Sequence, residues 1–217
     1  DVEILAYENP GSHALTAIYH RGLREARADI LVFVHDDIQF DQRGWGRALR
    51  KDFQKTDFGI LGIAGTTDLA RQSDGTIGSW WHWWHRTVGR VTHEIGGQRE
   101  EDVFSNSFDR PIPVVCLDGV LLAVDRRRLR VPFDERFGGF HYYDVSFTFA
   151  NHLAGVPVGV SFSVRLTHRS RGQTSAAWEG NRLLFSQLFS EHLPCGIGPE
   201  AVRYEAAPIK PFNPGPG

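Results

Sequence analysis

The sequence predicts an α/β protein: an open, mostly parallel sheet flanked by helices, carrying a long Trp-rich insertion. Three observations predict it. Ile30–Val34 ("ILVFV") is a wholly apolar run that follows a helix-spaced segment, residues 13–28. The same order repeats, with residues 45–56 helix-like and residues 58–64 ("FGILGIA") apolar. Periodicity then fails over residues 65–111, where Gly, Ser, Thr, Asp and Arg gather around Trp80, Trp81, Trp83 and Trp84.

Taken in order, residues 2–6 read as a buried strand, stopped by Glu8, Asn9, Pro10 and Gly11. Ser12 is the expected N-cap of the first helix, in which Leu15, Ile18, Tyr19 and Leu23 share a face. Short apolar runs flanking a helix predict a right-handed βαβ crossover and a central parallel strand at Ile30–Val34. Residues 90–95 are strand-like within the insertion. Residues 112–124 return to strand composition, broken at Asp118-Gly119. Residues 143–154 predict a helix ended by Gly155, residues 156–164 a strand leading to His168, and residues 175–192 a last helix. Residues 1–192 are read as one domain and residues 193–217 as a Pro/Gly-rich arm.

Composition narrows the function classes. Hydrophobic residues make up 41% and charged residues 23%, which fits a packed domain rather than a disordered chain. A net charge of -2 argues against nucleic-acid binding. Two cysteines, Cys116 and Cys195, supply neither a disulfide framework nor a zinc knuckle. With no apolar run long enough to span a bilayer and no signal peptide, the expectation is a cytoplasmic protein. Oligomeric state is left open.

The chemistry gathers at strand ends. His35, Asp36 and Asp37 follow Ile30–Val34 directly, where open α/β sheets bind ligands. Such acids also cap turns. Three ionisable groups in a row point instead to a divalent cation, Mn²⁺ or Mg²⁺, bridging carboxylates to a substrate diphosphate.

These residues carry a resemblance. "ADILVFVHDDIQF" resembles the segment of family-2-type glycosyltransferases, of GT-A fold, that ends in the D-x-D metal motif; it is closest to a bacterial branch with His in place of the first acid. "VCLDGVLLAVDRRRL", "FDERFGGFHYYDVSFTFANHLAG" and "VRLTHRSRGQT" resemble later blocks of the same family in the same order. The resemblance implies a GT-A-like, Rossmann-type sheet and a nucleotide-sugar donor, most simply a UDP-sugar. Asp37, His35 and His168 would hold the metal, and Asp144 would be the catalytic base. Glu8 and Asn9 would meet the nucleotide base. Asp36, Arg169 and Arg171 flank the metal residues and would lie near the diphosphate. The chain departs from the family pattern at His35, at Tyr143 (usually Glu) and at Ser146 (often Asp). The family's first nucleotide-holding strand has no counterpart before Asp1.

Read as chemistry, one base and no evident nucleophile imply transfer to an acceptor hydroxyl with inversion at the anomeric carbon. Asp118 would orient the acceptor or simply close an Asp-Gly turn. Trp80, Trp81, Trp83 and Trp84 would stack on sugar or lipid, or pack the insertion. The alternative is a non-catalytic module that binds a glycan or a partner on a degenerate transferase fold. A metal-dependent phosphoesterase ranks last, because its closely spaced His/Asp ligand sets are missing.

Overall fold

The computed structural model describes residues 2–78, 80, 86–172 and 174–197. In chain order the elements are α1 (Leu15–Glu25), β1 (Ile30–Val34), β2 (Ile38–Phe40), α2 (Trp45–Lys55), β3 (Ile60–Gly62), β4 (Ala64–Thr66) and β5 (Asp68–Leu69). Then follow β6 (Thr87–Ile95), β7 (Gln98–Val103), β8 (Ile112–Pro113), β9 (Cys116–Leu117), β10 (Leu121–Asp125), α3 (Tyr143–Leu153), β11 (Val158–Val160), β12 (Leu166–His168), α4 (Ala176–Leu188) and β13 (Cys195–Gly196). Among the described residues, no helix is long and apolar enough to cross a membrane.

A five-stranded sheet runs β1-β10-β3-β11-β8, and a second runs β2-β12-β6-β4-β9 with β7 paired to β6. The first sheet is covered on both faces, and the apolar runs record this. Leu31 and Phe33 of β1 point into one core cluster, with Leu15 and Tyr19 of α1; Ile30, Val32 and Val34 pack against the other. Leu122 and Val124 of β10 face the first cluster, while Leu121 and Ala123 face the second, with Leu49 and Phe53 of α2. Alternate side chains therefore all meet hydrocarbon, so the strands read as unbroken apolar runs.

Three expectations are corrected. Residues 2–9 form no strand, and Val2 and Ile4 are each 83% exposed, so among the described residues no βαβ crossover leads into β1. Among the described ladders only β3–β11 and β6–β12 are parallel, because β10 returns antiparallel between β1 and β3. The cap of α1 is Ala14 rather than Ser12, whose hydroxyl lies 2.9 Å from His13 Nδ1. The run 58–64 is also split: β3 belongs to the first sheet, and β4, one residue later, to the second. Of the expected arm, Leu193 is buried and Cys195–Gly196 pairs with β5.

α3 is the structural centre. Tyr143 and Phe147 enter one cluster, and Val145 and Phe149 the other. A helix buried along most of its length needs its polar side chains satisfied. Asn151 meets this with four hydrogen bonds: it accepts from Arg130 N–H and Val131 N–H, and donates to Val131 O and Phe147 O. Ser175 caps α4 by accepting from Trp178 N–H.

Candidate active site

Strand register brings distant residues together. Val34, the last residue of β1, pairs with Leu121, so the chain leaves β1 beside the Asp118-Gly119 turn. His168, the last residue of β12, pairs with Ile38, and Arg169 N–H donates to Asp37 O at 2.9 Å. His35, Asp37 and His168 thereby converge, with one ligand atom of each within 4.8 Å of the others.

This cluster fits a cation. His168 Nε2 lies 3.2 Å from His35 Nδ1, 3.1 Å from Asp37 Oδ1 and 3.1 Å from Ser170 Oγ. One imidazole nitrogen offers a single lone pair or a single hydrogen, so it cannot serve all three. Asp37 Oδ1 is buried and, although close to that nitrogen, takes part in no well-formed hydrogen bond. A buried carboxylate oxygen without a hydrogen bond, facing two imidazole nitrogens, is a donor set that a divalent ion would satisfy. Burial alone would raise the Asp37 pKa, but the Ser170 hydroxyl and the two histidines outweigh it and hold the carboxylate below its usual range. His168 is pushed down by burial against the opposing pull of Asp37, which favours the neutral, ligating imidazole.

The second group sits across the same cleft. Tyr142, just before α3, adopts a left-handed backbone with φ 62°, a strained conformation for a non-glycine residue. The turn sends Tyr143 into the core and leaves Asp144 in the first turn of α3. Asp144 Oδ2 accepts from Gly119 N–H at 2.8 Å. Burial, reinforced by the Asp118 carboxylate, pushes the Asp144 pKa up to about 7 against the opposing backbone N–H groups. Asp144, Asp118, His35 and His168 border one cavity of about 440 Å³, walled by Trp80, Phe104, Phe140 and Trp178. A proton acceptor poised near neutrality, a cation-type cluster and aromatic walls therefore share one cleft.

Residues 1–187 match the model of a family described as "Glycosyltransferase like family". The chain belongs to this family. Its α/β architecture is that of the GT-A fold. Among solved structures, it is similar to one described as the crystal structure of GalNAc-T7 with UDP, GalNAc and Mn²⁺, with a TM-score of 0.56 and 10% sequence identity. That match covers 86% of this chain and 37% of the other. Curated protein sequences yield no match.

Within this chain, His35, Asp37, His168, Asp118, Asp144, Trp80 and Arg171 meet at or beside the cavity. Arg171 also pairs with Glu100 of β7. Other candidates lie elsewhere. Asp36 faces solvent, and Arg169 turns outward to Gln39 Oε1. Glu8 is exposed, and Asn9 closes a local turn through two hydrogen bonds to the His13 backbone. Trp81, Trp83 and Trp84 lie outside the described residues.

Several cavity residues escaped the sequence reading, among them His93 on β6 and Asp102 on β7, with His93 Nε2 3.4 Å from Asp102 Oδ2. His93 pairs with His168 in the parallel β6–β12 ladder and its Nδ1 contacts Ser170 O at 2.8 Å. The available signal was Gly96-Gly97 between two strand-length segments, a two-residue hairpin pattern.

Proposed function

We propose that this glycosyltransferase moves a sugar from a nucleoside-diphosphate donor to an acceptor hydroxyl, with inversion at the anomeric carbon. The observation that carries the reading is the pairing of Asp144 with the His35–Asp37–His168 cluster across one cavity. Asp144, with its pKa near 7, takes the acceptor's proton as the hydroxyl attacks. Asp118 raises the basicity of Asp144 and sits where it can orient the same hydroxyl. His35, Asp37 and His168 would hold the cation, and a divalent ion there supplies charge neutralisation for the departing diphosphate. Two nitrogen donors beside one carboxylate suit Mn²⁺ better than Mg²⁺, which prefers an all-oxygen shell. Arg171 adds positive charge to the same rim. Trp80, Phe104 and Trp178 give flat apolar faces for an acceptor, a sugar ring among the candidates. The structural relative described with UDP and Mn²⁺ supports a UDP-sugar as the first donor to test.

The test is a panel of UDP-, GDP- and dTDP-sugars, scored by thermal stabilisation with and without Mn²⁺. One donor should stabilise the protein only with Mn²⁺, and Asp37→Ala should abolish that dependence. A protein stabilised by glycans alone, with no donor binding, would be a binding module instead and would end this proposal.

A further inference from the structure

The two positions where the chain departs from the resembled pattern nearest the cation cluster, His35 and Tyr143, touch each other. Tyr143 Oη lies 2.7 Å from His35 Nε2, across 108 residues of sequence. Tyr143 is 2% exposed and is held from several sides. Its ring meets Tyr19 edge-on at 5.5 Å. A Cβ on Gly119 would come within 1.9 Å of the Tyr143 oxygen, so this turn can carry no side chain there. The hydroxyl is thus fixed against His35 by the packing of α1, α3 and the Asp118-Gly119 turn.

His35 has two ring nitrogens with distinct neighbours: Nδ1 faces His168, and Nε2 faces Tyr143. A neutral imidazole carries one hydrogen. For Nδ1 to present a lone pair to a cation shared with Asp37 and His168, that hydrogen must sit on Nε2, and the atom waiting there is the phenol oxygen. Resting on the cation reading of the cluster, we infer that Tyr143 is a positioning residue. Its oxygen receives the Nε2–H of His35 and so turns the Nδ1 lone pair toward Asp37 and His168. Partners on the second nitrogen of a ligating histidine commonly fix its tautomer and orientation, and losing one typically costs about 10–100-fold in metal affinity. Tyr143 immediately precedes Asp144, so the first turn of α3 would hold the base with one residue and orient the cation site with the other.

Tyr143→Phe removes the oxygen and keeps the ring. Two measurements decide the inference. In the metal-free wild type, long-range ¹H–¹⁵N NMR of His35 should show hydrogen on Nε2 and a bare Nδ1; hydrogen on Nδ1 would overturn it. Mn²⁺ affinity, read from the EPR signal of free Mn²⁺, should fall by about tenfold or more in Tyr143→Phe. It should fall no further when Tyr143→Phe is added to His35→Ala, because the oxygen would act only through that ring. Affinity within twofold of wild type, or equal losses in both backgrounds, would overturn the role of Tyr143 while leaving the cation site standing. Failure of the wild type to bind Mn²⁺ would remove the cation reading and this inference together. The metal-free melting temperature of each variant separates loss of folding from loss of the site.

Discussion

Asp144 illustrates how burial sets both activity and stability. Its pKa in the folded protein is about 7, against 3.8 for the unperturbed group, chiefly because burial disfavours the charge. The folded state therefore holds a proton that the unfolded state has released across this window, and stability from this group falls as pH rises from 3.8 toward about 7. Asp144→Asn cannot ionise, so its stability relative to wild type should be greater above pH 7 than near pH 4, as measured by urea unfolding at both. The catalytic requirement runs the other way, since only the ionised carboxylate accepts a proton. Transfer should fall about tenfold per pH unit below the Asp144 pKa, and Asp144→Asn should lose about 10²-fold or more while retaining donor binding. At this scale the sequence was legible where ionisable residues end strands or open a helix: His35, Asp37, His168 and Asp144 were all named from sequence and lie at or beside one cavity. It was less informative about their neighbours. Asp36 and Arg169 sit beside ligand candidates in the chain yet face away, in a turn after β1 and a bend after β12 whose geometry neighbouring residue types do not reveal.

Among the elements, α3 and the β6–β7 hairpin mark the two extremes of legibility. The expected helix at residues 143–154 differs by one residue from Tyr143–Leu153, since apolar content and Gly155, with φ 81°, fix its end locally. What holds it in place is not local. Asn151 ties α3 to the residue 130–131 segment, and losing its four hydrogen bonds at once leaves several backbone groups without partners. Asn151→Ala should cost about 3 kcal/mol or more by chemical denaturation. The hairpin was read only as a strand at residues 90–95, because β7 carries mostly charged residues that a search for apolar runs passes over. All six residues of β7 are exposed, and its pairing rests on the backbone ladder with β6. Residues 2–6 failed in the opposite sense. They have strand composition, but burial depends on a sheet neighbour that local sequence does not reveal.

For the molecule as a whole, α/β class followed from alternating helical and apolar segments, whereas strand direction did not, because β10 enters between β1 and β3 from far along the chain. The proposed site draws on β1, the turn before β10, α3 and β12, so binding there should brace the fold globally. A donor at a hundred times its Kd stabilises a protein by about 2.7 kcal/mol. For a chain of this size that is a rise of about 5–10 °C in melting temperature. The rise should appear with Mn²⁺ and donor together and vanish in Asp37→Ala, as read by differential scanning fluorimetry. The Gly96-Gly97 turn has a further consequence. Both residues have positive φ, 59° and 79°, and no atom lies within 4 Å of where a side chain would start. The tip is about 10 Å along the strand from His93, where the ribbon is rooted against β12. A guest peptide spliced between these glycines would project into open water while the root kept its place, which makes this ribbon a natural graft point for a reporter and an easy place for lineages to diversify in length.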